Sequence, residues 1–140
     1  MYDESQQASE ELQLTKGYEE LVAEAAAEVT TLPIETAIDR LDHEVVFVDV
    51  RDGPELDAKG RVPGAIHASR GMLEFHIDPE SPYHIEEFAS GSEFLFYCAV
   101  GGRSALAVQT AQEMGLSAVA NVEGGFEAWT EAGGPTEMAA

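Results

Sequence analysis

The chain has a single cysteine, Cys98, and it is followed by Ala99-Val100-Gly101-Gly102-Arg103-Ser104. One thiol cannot form an internal disulfide, and no Cys-x-x-Cys pair is present to hold zinc. Cys98 is therefore either an inert apolar filler at a strand end or a reagent. The residues behind it favour the reagent. Two consecutive glycines let the chain turn tightly with its N–H groups aimed inward, and Arg103 adds a cation. A helix beginning at this point would present its positive end to the sulfur and favour the thiolate, which is the attacking form. Such a site performs nucleophilic covalent catalysis, taking a group onto sulfur and releasing it in a second displacement. No cofactor is called for.

Such a cysteine needs a strand to deliver it and a helix to follow it. Phe94-Leu95-Phe96-Tyr97 is a buried apolar run ending at Cys98, and a helix is expected from about Ser104 to Met114, with Ala107, Thr110, Ala111 and Met114 on one face and Gly115 closing it. Ligands of open α/β sheets gather where strand ends meet helix starts. The remaining elements agree with that class. Residues 1–16 are polar and aperiodic and are expected to form a loose tail. In the stretch 17–28, Tyr18, Leu21, Val22 and Ala25, with Val29 beyond, follow helical spacing, with glutamates on the other faces. A short strand is expected from Val29 to Leu32, then a helix opened by Pro33 and running to about Leu41. Val45 to Val50 is too continuously apolar for a strand with one wet face and is expected at the sheet centre. Asp52-Gly53-Pro54 and Pro63-Gly64 are turns flanking a short helix from Glu55 to Lys59, and Ala65-Ile66-His67 is a short strand. Gly71 to Ile77 is expected to be helical and Asp78 to Pro82 a loop. Val119 to Val122 is a last strand, Gly124-Gly125 a turn, and Phe126 to Ala132 a final helix carrying the core residues Phe126 and Trp129. Strands alternating with helices predict a mostly parallel central sheet with helices on both faces.

Four segments, in order, carry a resemblance to a known family. Cys98 to Ser104 is similar to the Cys-x-x-Gly-x-Arg-Ser loop of the rhodanese-like sulfurtransferases. Asp49-Val50-Arg51 with Glu55 resembles that family's Asp-Val-Arg and following Glu. Gly60-Arg61-Val62-Pro63-Gly64-Ala65 resembles its Gly-His-Ile-Pro-Gly-Ala, with Arg61 where the family has histidine. Asn121 to Trp129 resembles its Gly-Gly-aromatic-x-x-Trp segment. The resemblance covers about residues 29–134 and implies a single rhodanese-like domain within 17–140. It also implies a cysteine that takes sulfane sulfur from a donor such as thiosulfate, holds it as a persulfide, and passes it to cyanide or a thiol, on a small molecule or a protein. Backbone N–H groups from Ala99 to Ser104 would hold the anionic persulfide without a metal. Phosphatases of the same fold carry a loop one residue longer, which makes phosphoryl chemistry the weaker reading. A catalytically silent module that binds a partner or senses oxidants through Cys98 is the alternative from another class.

The supporting residues divide. Arg103 either binds the donor's sulfonate or is tied to a carboxylate such as Asp49 or Glu123. Asp49 and Arg51, at a strand end, are expected to form a structural ion pair. The stretch Ser69 to Ser92 is long enough to form a lid carrying Arg70, Phe75, His76 and His84; its two histidines lack a third ligand at recognisable spacing, so no metal is expected.

The bulk of the sequence narrows the partners. At 140 residues one core is expected. Acidic side chains number 27 against 7 basic ones, a formal net charge of −20, so nucleic acid and anionic membranes are not expected as partners. No apolar run approaches the roughly 18 residues of a membrane span, and the N-terminus lacks a secretory pattern, so a cytoplasmic location is the default expectation. Oligomeric state is left open.

Overall fold

The computed structural model describes residues 11–138. The tail expected over 1–16 lies mostly outside these residues, and its described part, 11–16, forms no helix or strand. The chain runs α1 (Tyr18–Glu28), β1 (Thr31–Leu32), α2 (Ile34–Asp39), β2 (Val45–Asp49), α3 (Gly53–Lys59), β3 (Ile66–His67), α4 (Leu73–Ile77), β4 (Glu93–Tyr97), α5 (Gly102–Met114), β5 (Val119–Val122) and α6 (Gly125–Glu131), with short 3-10 turns at Arg40–Asp42, Arg70–Met72 and Glu86–Ala89. The five strands form one sheet in the order β1-β5-β4-β2-β3, and every strand pair is parallel. The chain is thus a single α/β domain with an all-parallel sheet.

Alternation along the central strands builds a core on each face. Phe94, Phe96 and Cys98 point with Val48 into one core, against Leu73 and Ile77 of α4 and Ala107, Val108 and Ala111 of α5. Leu95 and Tyr97 point with Phe47 into the other, against Ile34 and Ala37 of α2 and Phe126 and Trp129 of α6. Burial on both faces explains why these strands show no polar alternation.

Several boundaries differ from the sequence-based expectation for local reasons. Val29 caps α1 instead of starting a strand, its N–H bonding to the Ala25 carbonyl. Gly101 takes a left-handed conformation (φ 111°) and opens α5 at Gly102, two residues ahead of Ser104. Gly125 is the first residue of α6, with Gly124 as its left-handed cap, so the expected turn is compressed into the helix start. The segment from Ser69 to Ser92 is not a lid. Its residues Leu73, Ile77 and Phe88 are buried in the core beneath α5, which anchors the stretch to the body of the domain. No helix among the described residues is long and apolar enough to cross a membrane.

Candidate active site

β4 is the middle strand of the sheet, and Cys98 is the first residue beyond it, at the end where α5 begins. Two contacts set the loop's shape. The carbonyls of Cys98 and Ala99 accept hydrogen bonds from the Phe126 and Glu127 N–H groups of α6, at 2.8 and 3.0 Å. Those carbonyls are thereby turned toward α6. The Gly101 N–H donates to Cys98 Sγ at 3.0 Å. The Ser104 hydroxyl lies 3.4 Å from the same sulfur and 3.2 Å from the Gly101 carbonyl, so its one proton serves either acceptor. Asn121 Nδ2 also donates to the Gly101 carbonyl, at 3.4 Å. Of the donors from Ala99 to Ser104, one backbone amide and one hydroxyl therefore reach Sγ. The first-turn amides of α5, which starts at Gly102, have no intrahelical partner.

Cys98 is 1% exposed and forms part of the floor of a cavity of about 660 Å³, whose rim includes Val100, Gly102 and Arg103. A thiol shielded from bulk water but open to a cavity reacts only with what that cavity admits.

Arg103 is bound to neither Asp49 nor Glu123. Its guanidinium grips Glu55 of α3 in a two-pronged pair, Nη1 to Oε2 at 2.8 Å and Nη2 to Oε1 at 2.9 Å. Glu55 is presented there by a capping box in which its side chain also accepts from the Asp52 N–H at 3.0 Å. The hydrogen bonds from Arg103 hold the Glu55 carboxyl at about 2, against an ordinary 4.5, although partial burial pulls the other way.

Asp49 is occupied elsewhere. Its carboxylate accepts Arg51 Nε at 3.0 Å and Nη2 at 2.7 Å, and the pair is buried. Arg51 Nη2 also donates to the Gly60 carbonyl at 2.7 Å, and the guanidinium stacks over the Phe126 ring at 4.4 Å. Burial alone would pull Arg51 down, but hydrogen bonds and charge from Asp49 outweigh it and hold the group above its ordinary value. This ion pair lies on the α6 face of the sheet and locks β2, the Gly60 turn and α6 together without touching the thiol.

Arg70 does not come to the cavity. Its guanidinium donates to Thr110 in the body of α5 at 3.1 Å and to Glu74 at 3.2 Å. His76 and His84 hydrogen-bond backbone carbonyls, of Tyr83 and His76 respectively. Among the described residues, no three of His, Cys, Asp and Glu come together as a metal site would require. Arg61 clasps the C-terminal segment, pairing with Glu137 through a short antiparallel bridge and a 3.1 Å ion pair.

Sequence reasoning missed two groups. One is Asn121, whose amide braces the loop, with its Oδ1 buried and unpartnered. The other is α1, whose Tyr18, Glu19, Val22 and Ala23 form a wall of the cavity over Cys98. The apolar stripe of α1 was visible in the sequence, but nothing there said what it would cover.

The family profile described as Rhodanese-like domain matches residues 34–132. A protein of Allochromatium vinosum called a sulfurtransferase is 30% identical over 92 residues, spanning 66% of this chain and 78% of that protein. A solved structure from Rhodopseudomonas palustris, of a protein of unknown function described as a possible tyrosine phosphatase, is 46% identical with a TM-score of 0.88, covering 91% of this chain and 99% of that one. A rhodanese-like domain protein of Staphylococcus aureus is 25% identical with a TM-score of 0.65, covering 79% of this chain and 99% of the other.

Proposed function

From the premise that the chain belongs to the rhodanese-like domain family, we propose that it is a sulfurtransferase working through a persulfide on Cys98. Its support is one contact: the Gly101 N–H at 3.0 Å from Sγ, at the start of α5 and at the floor of a cavity. A donor placed there stabilises negative charge on sulfur before and after transfer. In the first half-reaction the Cys98 thiolate attacks the outer sulfur of a donor such as thiosulfate. The Sγ–S bond forms, the donor's S–S bond breaks, and sulfite leaves with the electron pair. In the second, cyanide or a thiolate attacks the outer sulfur and Cys98 departs as thiolate, so the enzyme returns unchanged. The cycle needs no metal or cofactor, and a reducing, cytoplasmic setting suits a thiol that must stay free.

A phosphatase would need Arg103 on the reacting phosphoryl group itself, yet both of its Nη groups are committed to Glu55, whereas sulfur transfer asks only that the thiolate reach the donor's outer sulfur. Cys98 to Arg103 also spans only six residues, one fewer than the loop of phosphatases sharing this fold. The remaining competitor is a silent module that binds or senses through the same cysteine. Mass spectrometry of the protein after thiosulfate treatment separates them: a gain of one sulfur on Cys98, lost again on adding cyanide, is the expected result. An unmodified thiol, or hydrolysis of p-nitrophenyl phosphate in its place, would overturn the proposal.

A further inference from the structure

The helix that closes the candidate site lies outside the family match. That match begins at residue 34, whereas α1 spans Tyr18–Glu28. The helix packs along α5, with the Val22 methyl groups set over the bare face of Gly102 at the start of that helix. One side of the cavity above Cys98 is consequently α1: Tyr18, Val22 and Ala23 look across to Val100 and Leu106. Tyr18 is 76% exposed and Val100 63% exposed, so the mouth is rimmed by apolar surface that no other described residue covers.

Charge points the same way. Among the described residues, two charged side chains line this cavity, Glu19 and Arg103. Arg103 has its charge matched by Glu55, whereas Glu19 faces the opening from α1 and the chain as a whole carries −20. Among the described residues, an anion entering the cavity meets a carboxylate and no uncompensated cation. A neutral molecule with an apolar body meets Tyr18, Val22, Val100 and Leu106, and each methylene it buries is worth roughly a factor of four in affinity.

Building on the sulfur-transfer reading above, we infer that α1 makes this site selective for an uncharged thiol with an alkyl or aryl body as sulfur acceptor, with Tyr18 and Val22 as specificity-determining residues. The thiol's sulfur, on losing its proton, attacks the outer sulfur of the Cys98 persulfide. The new S–S bond forms, the Sγ–S bond breaks with its electron pair returning to Cys98, and the proton ends on the outer sulfur of the product persulfide. Atoms and charge balance without an oxidant or reductant.

The test uses the full chain, loaded with excess thiosulfate, desalted, and checked by mass for one added sulfur. Its discharge is then timed with n-butanethiol and with 2-mercaptoethanesulfonate, at concentrations matched for thiolate. Discharge by n-butanethiol is expected to be about tenfold faster or more, from burial of its chain and repulsion of the sulfonate. In Tyr18→Ala and Val22→Ala, with folding checked by circular dichroism, that ratio is expected to shrink by about threefold or more as the apolar wall is removed. Tyr18 is exposed, so its substitution keeps the test valid even if Val22→Ala loosens α1. Equal rates with the two thiols, or a ratio that neither variant moves, would overturn the inference while leaving sulfur transfer intact. Failure to load Cys98 would overturn the transfer reading and this inference with it.

Discussion

Arg103 and Glu55 meet fork to fork across the start of α5, Nη1 to Oε2 at 2.8 Å and Nη2 to Oε1 at 2.9 Å, so the guanidinium lining the cavity over Cys98 is neutralised from α3 before any substrate arrives. The pair is over one-third exposed on the arginine side, which limits its worth to stability to about 1 kcal/mol or less. Its larger consequence is electrostatic, since Glu55 competes with any anionic donor for the same guanidinium.

Glu55→Gln is therefore expected to improve use of thiosulfate, seen as a lower KM of about threefold or more, because a neutral amide releases the guanidinium to bind the sulfonate. The same variant carries a pH signature. The Glu55 carboxyl is depressed from an ordinary 4.5 to about 2, so its contribution to stability is complete above about 4.5 and is lost as pH falls toward 2. The stability difference between the natural protein and Glu55→Gln should be constant from neutral pH to about 5 and should shrink between about 4.5 and 2. A KM that rises in the variant would instead make the Arg103–Glu55 pair part of the donor site.

How much of this pair was legible in the sequence shows where single-chain reading stops. The apolar run ahead of Cys98 and the glycines after it place the cysteine at a strand-to-helix turn, and there the structure has it, between Tyr97 of β4 and Gly102 of α5. Asp49 and Arg51 were recognised as an ion pair because they are two residues apart at one strand end. Arg103 was offered Asp49 or Glu123 as partner, and the structure chose Glu55, 48 positions away in sequence on a helix whose docking no local pattern encodes. The stretch from Ser69 to Ser92 looked like a lid because its turns hide the spacing of Leu73, Ile77 and Phe88, which only tertiary packing brings into one core. The fold class survived such errors because it rests on strand and helix alternation, whereas the cavity wall rests on α1 packing against Gly102.

Asp49→Asn should be far more costly than Glu55→Gln, although both break an arginine pair. Arg51 is 1% exposed and Asp49 fully buried, so loss of the carboxylate strands a cation away from water. A loss on the order of 3–5 kcal/mol is expected in urea unfolding, a large share of the roughly 5–15 kcal/mol that holds a domain together. A change under about 1 kcal/mol would mean that water reaches Arg51 and that the pair is not the lock between β2 and α6 described above.

Gly125→Ala tests the brace behind the Cys98 loop. Gly125 has φ 63°, and a Cβ there would come 2.5 Å from the Cys98 carbonyl and 2.7 Å from that of Ala99. Backbone cannot yield as a side chain end does, so the Phe126 and Glu127 hydrogen bonds to those carbonyls should lengthen and the Gly101 N–H should swing off Sγ. Transfer is expected to fall by about tenfold or more, as for loss of one preorganised donor, while far-ultraviolet circular dichroism stays unchanged. Undiminished transfer would mean that the carbonyl brace does not set the position of the Gly101 amide.

Cys98→Ser decides the chemistry itself. The serine hydroxyl is close in size to the thiol and can accept the Gly101 N–H and meet the Ser104 hydroxyl, so a position 1% exposed at the end of β4 should keep its packing. Thermal unfolding is expected to shift by no more than a few degrees, the effect of about 1 kcal/mol in a domain of this size. The hydroxyl, however, stays protonated near neutral pH and cannot hold sulfane sulfur as a persulfide can. Thiosulfate:cyanide transfer should therefore vanish, and mass spectrometry should find no added sulfur. Transfer that persists in the folded serine protein would place the reaction on another group and remove Cys98 from the mechanism; a variant that fails to fold would mark the cysteine as a packing residue of the α5 core.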